Sequence, residues 1–238
     1  MDALVTGAAS GIGLATATAL RNAGWRVAGL DLRAGPGVEH TADVRDEPAL
    51  RTAIAAAVGA GGLDALVCCA GVSGSAAGDG PIEDTTGAAF DTVVGTNLRG
   101  ALIAASAAWP ALTAARGSVV LISSVLGITG GGGPFRSTSY IVSKGGLVAL
   151  TRALAAQGRG LGVRANCVAP GLVDTPFAAR ARTDRAVAGY VADRQPLTGG
   201  PIAPATVAAA VAYLCSPAAA PITGQVLSVD AGWQLDPA

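Results

Sequence analysis

The chain has 238 residues, of which 51% are apolar and only 13% charged, and its 16 basic and 16 acidic side chains leave no net charge. That length holds one large domain with a full core, residues 1–238, and the balanced charge gives no electrostatic case for nucleic acid or an anionic membrane surface. The expected ligand is a small molecule.

Short apolar runs alternate with helical stretches from the first residue, the pattern of repeated βαβ units. Met1-Asp2-Ala3-Leu4-Val5-Thr6 lacks the basic segment of a secretory leader and runs straight into a strand, so the expected location is the cytoplasm. Strands are predicted at 3–5, 26–30, 63–68, 117–122, 163–168 and 225–229, with a short one near 38–41. Helices are predicted at 11–23, 47–59, 88–114, 140–157 and 205–215. The fold class is therefore α/β, one doubly wound Rossmann-type domain with about seven parallel strands and helices on both faces. Gly130-Gly131-Gly132-Gly133 and the region 176–200 are read as loops.

Four cysteines (Cys68, Cys69, Cys167, Cys215) follow no metal spacing and His40 is the single histidine, so free thiols and no protein-bound metal are expected. The charge-free run from Gln195 to Val229 is broken by Pro196, Pro201, Pro204, Pro217 and Pro221, which argues against a membrane span. Within it, 205–215 carries no charge on any face. Such a helix should be covered all round, and a second subunit is the natural cover.

Thr6-Gly7-Ala8-Ala9-Ser10-Gly11-Ile12-Gly13 follows the first strand and opens the first helix, the context of a dinucleotide-binding turn. Gly7 permits the tight turn, Gly11 lets backbone approach a diphosphate, and Gly13 lets helix pack on strand. Asp31 ends the second strand, where a carboxylate accepts from the ribose 2'-hydroxyl of NAD and repels the 2'-phosphate of NADP.

Tyr140 and Lys144 stand four residues apart on a predicted helix, so they share one face. A tyrosine with a pKa near 10 needs roughly 3 units, or about 4 kcal/mol, of help to act as a base at neutral pH. An ammonium about 5 Å away, at an effective dielectric near 20, supplies roughly 3 kcal/mol. An isolated pair of this kind is usually an ordinary helix face. The turn and the acidic strand end change that weighting.

Taken together the motifs resemble the short-chain dehydrogenase/reductase family over essentially the whole chain. The turn has the family's T-G-x-x-x-G-x-G form, Asp43-Val44 resembles the pair flanking the adenine, and Cys68-Cys69-Ala70-Gly71 stands where the family has N-N-A-G. That last segment departs from the pattern, since two thiols replace two amides. Asn97 matches the helix-bending asparagine, Ser124 the substrate-binding serine, Asn166 to Gly171 the segment under the nicotinamide, and Thr175 the hydroxyl at its carboxamide. Ile222-Thr223-Gly224-Gln225 and Asp230-Ala231-Gly232 resemble the C-terminal strand.

The resemblance implies reversible hydride transfer between a secondary alcohol and NAD, with Asn97, Ser124, Tyr140 and Lys144 as the catalytic set. Tyr140 would exchange the proton, Ser124 would hold the substrate oxygen, Lys144 would depress the phenol pKa and bond the nicotinamide ribose, and Asn97 would place a water. The cofactor set it implies is Gly7, Ser10, Gly11, Ile12, Gly13, Asp31, Asp43, Val44, Ala70, Gly71, Tyr140, Lys144, Pro170, Gly171, Val173 and Thr175. Substrate would meet Ser124, Leu126, Arg136 and Tyr140, under a loop carrying Phe177, Arg180, Arg182, Arg185 and Tyr190. A homotetramer is implied, formed by the helices at 88–114, 140–157 and 205–215.

Three alternatives stand beside this reading. NADP is the first, since Arg33 follows Asp31 by two residues, although Ser10 and Leu32 occupy the places where basic residues favour NADP. A nicotinamide-binding regulatory protein without catalysis is the second, and a halide-lyase relative is the third. For the serine, Ser123, Ser137 and Ser139 compete. Ser124 is preferred because it ends a strand before Val125-Leu126-Gly127.

Overall fold

The computed structural model describes residues 1–58, 61–178 and 183–235. Among these, β1 (Asp2–Thr6), β2 (Arg26–Asp31), β3 (His40–Thr41), β4 (Ala65–Cys68), β5 (Ser118–Ile122), β6 (Arg164–Pro170) and β7 (Val226–Val229) form one parallel sheet in the order β3-β2-β1-β4-β5-β6-β7. The central strands are apolar on both faces because helices cover both. Leu4, Leu66, Val119 and Ala165 are in register and face one side, while Ala3, Val5, Val67, Val120 and Val168 face the other. A one-residue slip would exchange the two faces.

On the first face pack α2 (Glu47–Val58), α4 (Gly100–Ala115) and α6 (Thr138–Gly158), through Leu50, Ile54, Ala104, Ala108, Leu112, Leu147 and Leu154, with the short α5 (Leu126–Thr129) leading from β5 toward α6. On the second, α1 (Gly11–Asn22) lies against α8 (Pro204–Cys215), through Ala17, Leu20, Val207, Val211 and Leu214. The abundant alanine lets these helices approach the sheet closely, and each fully buried leucine contributes about 1.5–3 kcal/mol of transfer free energy.

Three expectations change. The helix expected at 88–114 is α3 (Gly87–Val94) and α4 joined by a π turn, Gly95–Arg99, whose wider winding turns Asn97 inward until it is 1% exposed. The region expected to be a loop, 176–200, contains α7 (Arg185–Arg194). Asp184 caps that helix by accepting from the N–H groups of Ala186 at 2.9 Å and Val187 at 3.3 Å, while Val187 and Val191 bury one face. The short strand expected at 38–41 is confined to His40–Thr41, next to Leu30 and Asp31. Arg180, Arg182 and the expected helix end at Gly59 lie outside the described residues.

Helix α8 buries Val207, Ala208, Val211, Leu214 and Cys215, yet Tyr213 remains 46% exposed. Its uncharged outer face is thus open in the single chain. Among the described residues, no helix is long and apolar enough to cross a membrane.

Candidate active site

The carboxyl ends of β1, β4, β5 and β6 open onto one edge, and the loops leaving them bring the candidate residues together. At the end of β1 the chain makes its glycine turn. Gly7 (φ +71°) and Gly11 (φ +54°) adopt backbone angles that disfavour a side chain. A methyl group on Gly13 would lie 2.0 Å from the Gly7 carbonyl oxygen, so only glycine lets α1 start this close to the strand. Ser10, at the N-cap of α1, makes no side-chain cap bond, and the first turn carries no acidic residue. Its amides and the helix dipole therefore face outward without an anionic partner from the chain. Ile12 is half-buried beside them.

Asp31 steadies this turn from the end of β2: one carboxylate oxygen accepts from the Ala9 N–H at 3.0 Å and the other from the Arg33 N–H at 3.2 Å. The Arg33 residue is exposed. Asp43 forms an exposed ion pair with Arg45 at 2.7 Å, and the bond from that guanidinium holds its carboxyl below the usual carboxylate range. Val44 is buried in contact with Gly100.

From β4, Ala70 packs its backbone against Gly7, and its N–H lies 3.4 Å from the Thr6 hydroxyl. The two cysteines before it are chemically quiet. Burial pushes the Cys68 thiol up to about 12 and the Cys69 thiol higher still, so both stay protonated at neutral pH. Burial likewise raises Cys167, and it raises Cys215 to about 12. Beyond them Asn97 clamps the loop: its Oδ1 accepts from the Val72 N–H at 2.8 Å, and its Nδ2 donates to the Val72 carbonyl and to Ser143 Oγ, each at 3.0 Å. Ser143 donates in turn to the Tyr140 carbonyl at 2.7 Å.

Tyr140 and Lys144 lie in the first two turns of α6. Lys144 Nζ is 5.5 Å from the Tyr140 ring centroid and donates to the Ile122 carbonyl at 2.8 Å. Ser124, two residues beyond the end of β5, lies beside the Tyr140 phenol, and its Oγ accepts from the Leu126 N–H at 3.2 Å. Of the competing serines, Ser123 is committed to the Lys144 carbonyl at 2.7 Å, and the Ser139 hydroxyl is buried without a hydrogen-bond partner.

One electrostatic expectation is corrected here. Burial pushes the phenol up to about 12, against the smaller opposing effect of the Ser124 hydrogen bond. Burial also pulls Lys144 down to about 8, against the Cys167 and Cys69 thiols. Desolvation is thus the largest cause of both shifts in the ligand-free chain, where Lys144 is buried and Tyr140 half-buried beside it.

The segment after β6 closes the site. Pro170 accepts from the Val125 N–H at 2.8 Å, and Gly171 donates to the Val229 carbonyl at 3.0 Å. Val173 and Thr175 are buried, and a methyl group on Gly11 would lie 3.2 Å from Thr175 Cγ2. The fully buried Gln195, which no local pattern singles out, fixes this segment by donating to the Leu172 and Gly200 carbonyls and accepting from the Leu172 N–H.

On the outer side, Leu126 packs with Phe135, Tyr190 and Trp233. Gly133 lies under the Tyr190 ring, where a methyl group would meet its edge at 2.5 Å, which accounts for a glycine in this loop. Phe177 lies against Tyr140 with ring centroids 5.8 Å apart. Arg136 is exposed and pairs with Glu83 at 3.4 Å.

The glycine turn under an open helix end, with a tyrosine, a buried lysine and a serine gathered at the same sheet edge, is the arrangement of a nicotinamide-dependent oxidoreductase of the Rossmann type. The sequence profile described as Enoyl-(Acyl carrier protein) reductase matches residues 7–234, and the chain belongs to the short-chain dehydrogenase/reductase family, which acts on CH–OH groups with a nicotinamide cofactor.

The chain is 37% identical to cis-4-hydroxycyclohexanecarboxylate dehydrogenase from Sinomonas cyclohexanicum over 97% of this chain and 95% of that protein. It is 35% identical to galactitol 2-dehydrogenase (L-tagatose-forming) from Cereibacter sphaeroides over 98% and 94%. A variant of actinorhodin polyketide ketoreductase, solved with NADPH, superposes with a TM-score of 0.86 at 33% identity, covering 99% of this chain and 97% of that one.

Proposed function

We propose that this protein is an NAD-dependent dehydrogenase that interconverts a secondary alcohol and a ketone, with Tyr140 as the general acid and base. The observation that carries the reading is the Tyr140 phenol, with Ser124 beside it and the buried Lys144 Nζ 5.5 Å from its ring, at the sheet edge that holds the glycine turn.

The residues present fit a dinucleotide. The amides at the start of α1 have no anionic partner from the chain and suit a diphosphate. Gly71 leaves room beside the catalytic lysine, since a methyl group there would stand 3.5 Å from Lys144 Nζ and 3.2 Å from Asn97 Oδ1. In this reading Gly7, Ser10, Gly11, Ile12 and Gly13 cradle the diphosphate, Asp43 and Val44 flank the adenine, and Ala70 and Gly71 let the cofactor approach. Pro170, Gly171, Val173 and Thr175 hold the carboxamide end. When bound, the nicotinamide supplies the hydride acceptor or donor.

Ser124 fixes the substrate oxygen against the phenol. In the ligand-free chain burial keeps Tyr140 protonated, the form that donates to the ketone oxygen, and its conjugate base accepts the hydroxyl proton in the reverse direction. Lys144 keeps its proton at neutral pH, being drawn down only to about 8, and so offers positive charge behind the phenol. Asn97 fixes the loop between the lysine and the cofactor position.

NAD is favoured over NADP because the Asp31 carboxylate occupies the end of β2, where it would repel a 2'-phosphate. The exposed Arg33 supports the second reading, an NADPH-dependent ketoreductase. Four free cysteines agree with a cytoplasmic location. A homotetramer would cover the exposed Phe90, Leu102 and Val142 on α3, α4 and α6, and Tyr213 and Leu227 on α8 and β7. The deciding experiment is a panel of secondary alcohols and ketones with both cofactors, followed by nicotinamide absorbance. Substantial turnover by Tyr140→Phe would overturn the assignment.

A further inference from the structure

We propose that Asp79 is a positioning residue for Tyr140: its buried carboxylate receives the tyrosine's own backbone N–H and so sets where the phenol stands. This rests on the reading of Tyr140 as the general acid and base.

The first N–H groups of a helix have no partner within it. In α6 the chain before the helix does not supply one, because Ser137 at the N-cap makes no side-chain bond. The partners come from a loop some sixty residues upstream. Asp79 Oδ1 accepts from the Ser139 N–H and Oδ2 from the Tyr140 N–H, both at 3.0 Å, while the Gly80 carbonyl accepts from the Thr138 N–H at 2.9 Å. The next amide, that of Ile141, already bonds within the helix to the Ser137 carbonyl at 3.0 Å. Every amide of the turn that carries Tyr140 is therefore held, two of them by one carboxylate that is 8% exposed.

The carboxylate is itself fixed. The Asp79 N–H donates to the Gly74 carbonyl at 2.9 Å, and the Thr85 hydroxyl lies 3.4 Å from Asp79 Oδ1. A methyl group on Gly74 would lie 2.6 Å from both Asp79 Cβ and Val93 Cγ2, so the loop is pressed onto α3. This same loop begins at Gly71 and Val72, which Asn97 clamps. One short segment thus runs from the cofactor side of the cleft to the backbone of the proton-transfer residue. Two charge-assisted bonds aligned with the helix dipole are strong for their size, and a displacement of about 1 Å at a reacting group lowers rate on the order of a hundredfold.

The test compares wild type, Asp79→Ala and Asp79→Asn, with Leu50→Ala in the α2 core as a control for stability lost away from the site. Amide exchange by NMR should be at least about tenfold faster at Ser139 and Tyr140 in Asp79→Ala. At a temperature below melting, kcat should fall about 10- to 100-fold while the NAD dissociation constant changes less than about twofold. Asp79→Asn, which keeps one acceptor oxygen, should recover part of kcat, and Leu50→Ala should leave it unchanged.

A kcat within twofold of wild type in Asp79→Ala would overturn the proposal, as would a loss of NAD affinity in proportion to the loss of rate. If the alanine variant does not fold, the asparagine variant carries the same comparison. Turnover by Tyr140→Phe would remove the underlying reading instead, and the exchange of the two amides reports the cap whatever the chemistry.

Discussion

Gly11 and Thr175 meet across the mouth of the site: a methyl group on Gly11, whose φ is +54°, would lie 3.2 Å from Thr175 Cγ2, tighter than an ordinary contact. The glycine turn and the segment after β6 are thereby two walls of one slot. Gly11→Ala should cost about 1–2 kcal/mol in stability from the left-handed backbone alone. It should also weaken NAD binding by about tenfold or more while leaving kcat at saturating cofactor near wild type. Fluorescence titration with the cofactor checks this, and unaltered affinity would disconnect Gly11 from the binding slot.

Stability should respond to pH in two opposed windows. Lys144 is drawn from 10.5 to about 8, so between these values the unfolded chain binds a proton that the folded chain does not, and stability falls as pH falls. Tyr140 is raised from 10.0 to about 12, so between these values the unfolded chain loses its proton first, and stability falls as pH rises. Wild type should gain on Lys144→Met by roughly 3 kcal/mol between pH 8 and 10.5. Denaturant unfolding across that range measures it; parallel curves for the two proteins would refute the buried lysine.

Asp31 has two tasks that one substitution should separate. Asp31→Ala deletes the acceptor for the Ala9 N–H, at a cost of about 1–2 kcal/mol in stability. It also removes the charge opposing a 2'-phosphate, so the ratio of kcat/KM for NAD over NADP should narrow by about tenfold. A ratio that stays constant would place cofactor choice elsewhere.

Leu102 on α4 is 48% exposed and Val142 on α6 is 46% exposed. In the proposed tetramer these large apolar side chains lie in a subunit contact. Leu102→Lys should lower the oligomeric state seen in sedimentation, and a monomeric wild type at micromolar concentration would contradict the tetramer.

Much of the site could be read along the chain because its signals are local. The glycine spacing of 7–13, the acidic end of β2 and the four-residue step from Tyr140 to Lys144 each lie within one turn or one strand. The alternation of short apolar runs with helical stretches also placed the sheet and most of its covering helices. The helix at 185–194 had a local signal as well, in Asp184 and the pair Val187 and Val191, but its charged residues and the surrounding prolines and glycines favoured a loop.

By itself, then, the sequence determined the alternation of strands and most helices, the family and the four-residue step from Tyr140 to Lys144, because periodicity, turn chemistry and side-chain type are short-range properties. Only the tertiary structure decided that Asp79 caps the helix of Tyr140, that Gln195 ties down the segment after β6, and that the π turn buries Asn97. It also decided the electrostatics of the pair. Spacing alone suggested a Coulomb effect, whereas the desolvation that raises the phenol and lowers the lysine depends on which distant elements close over the cleft.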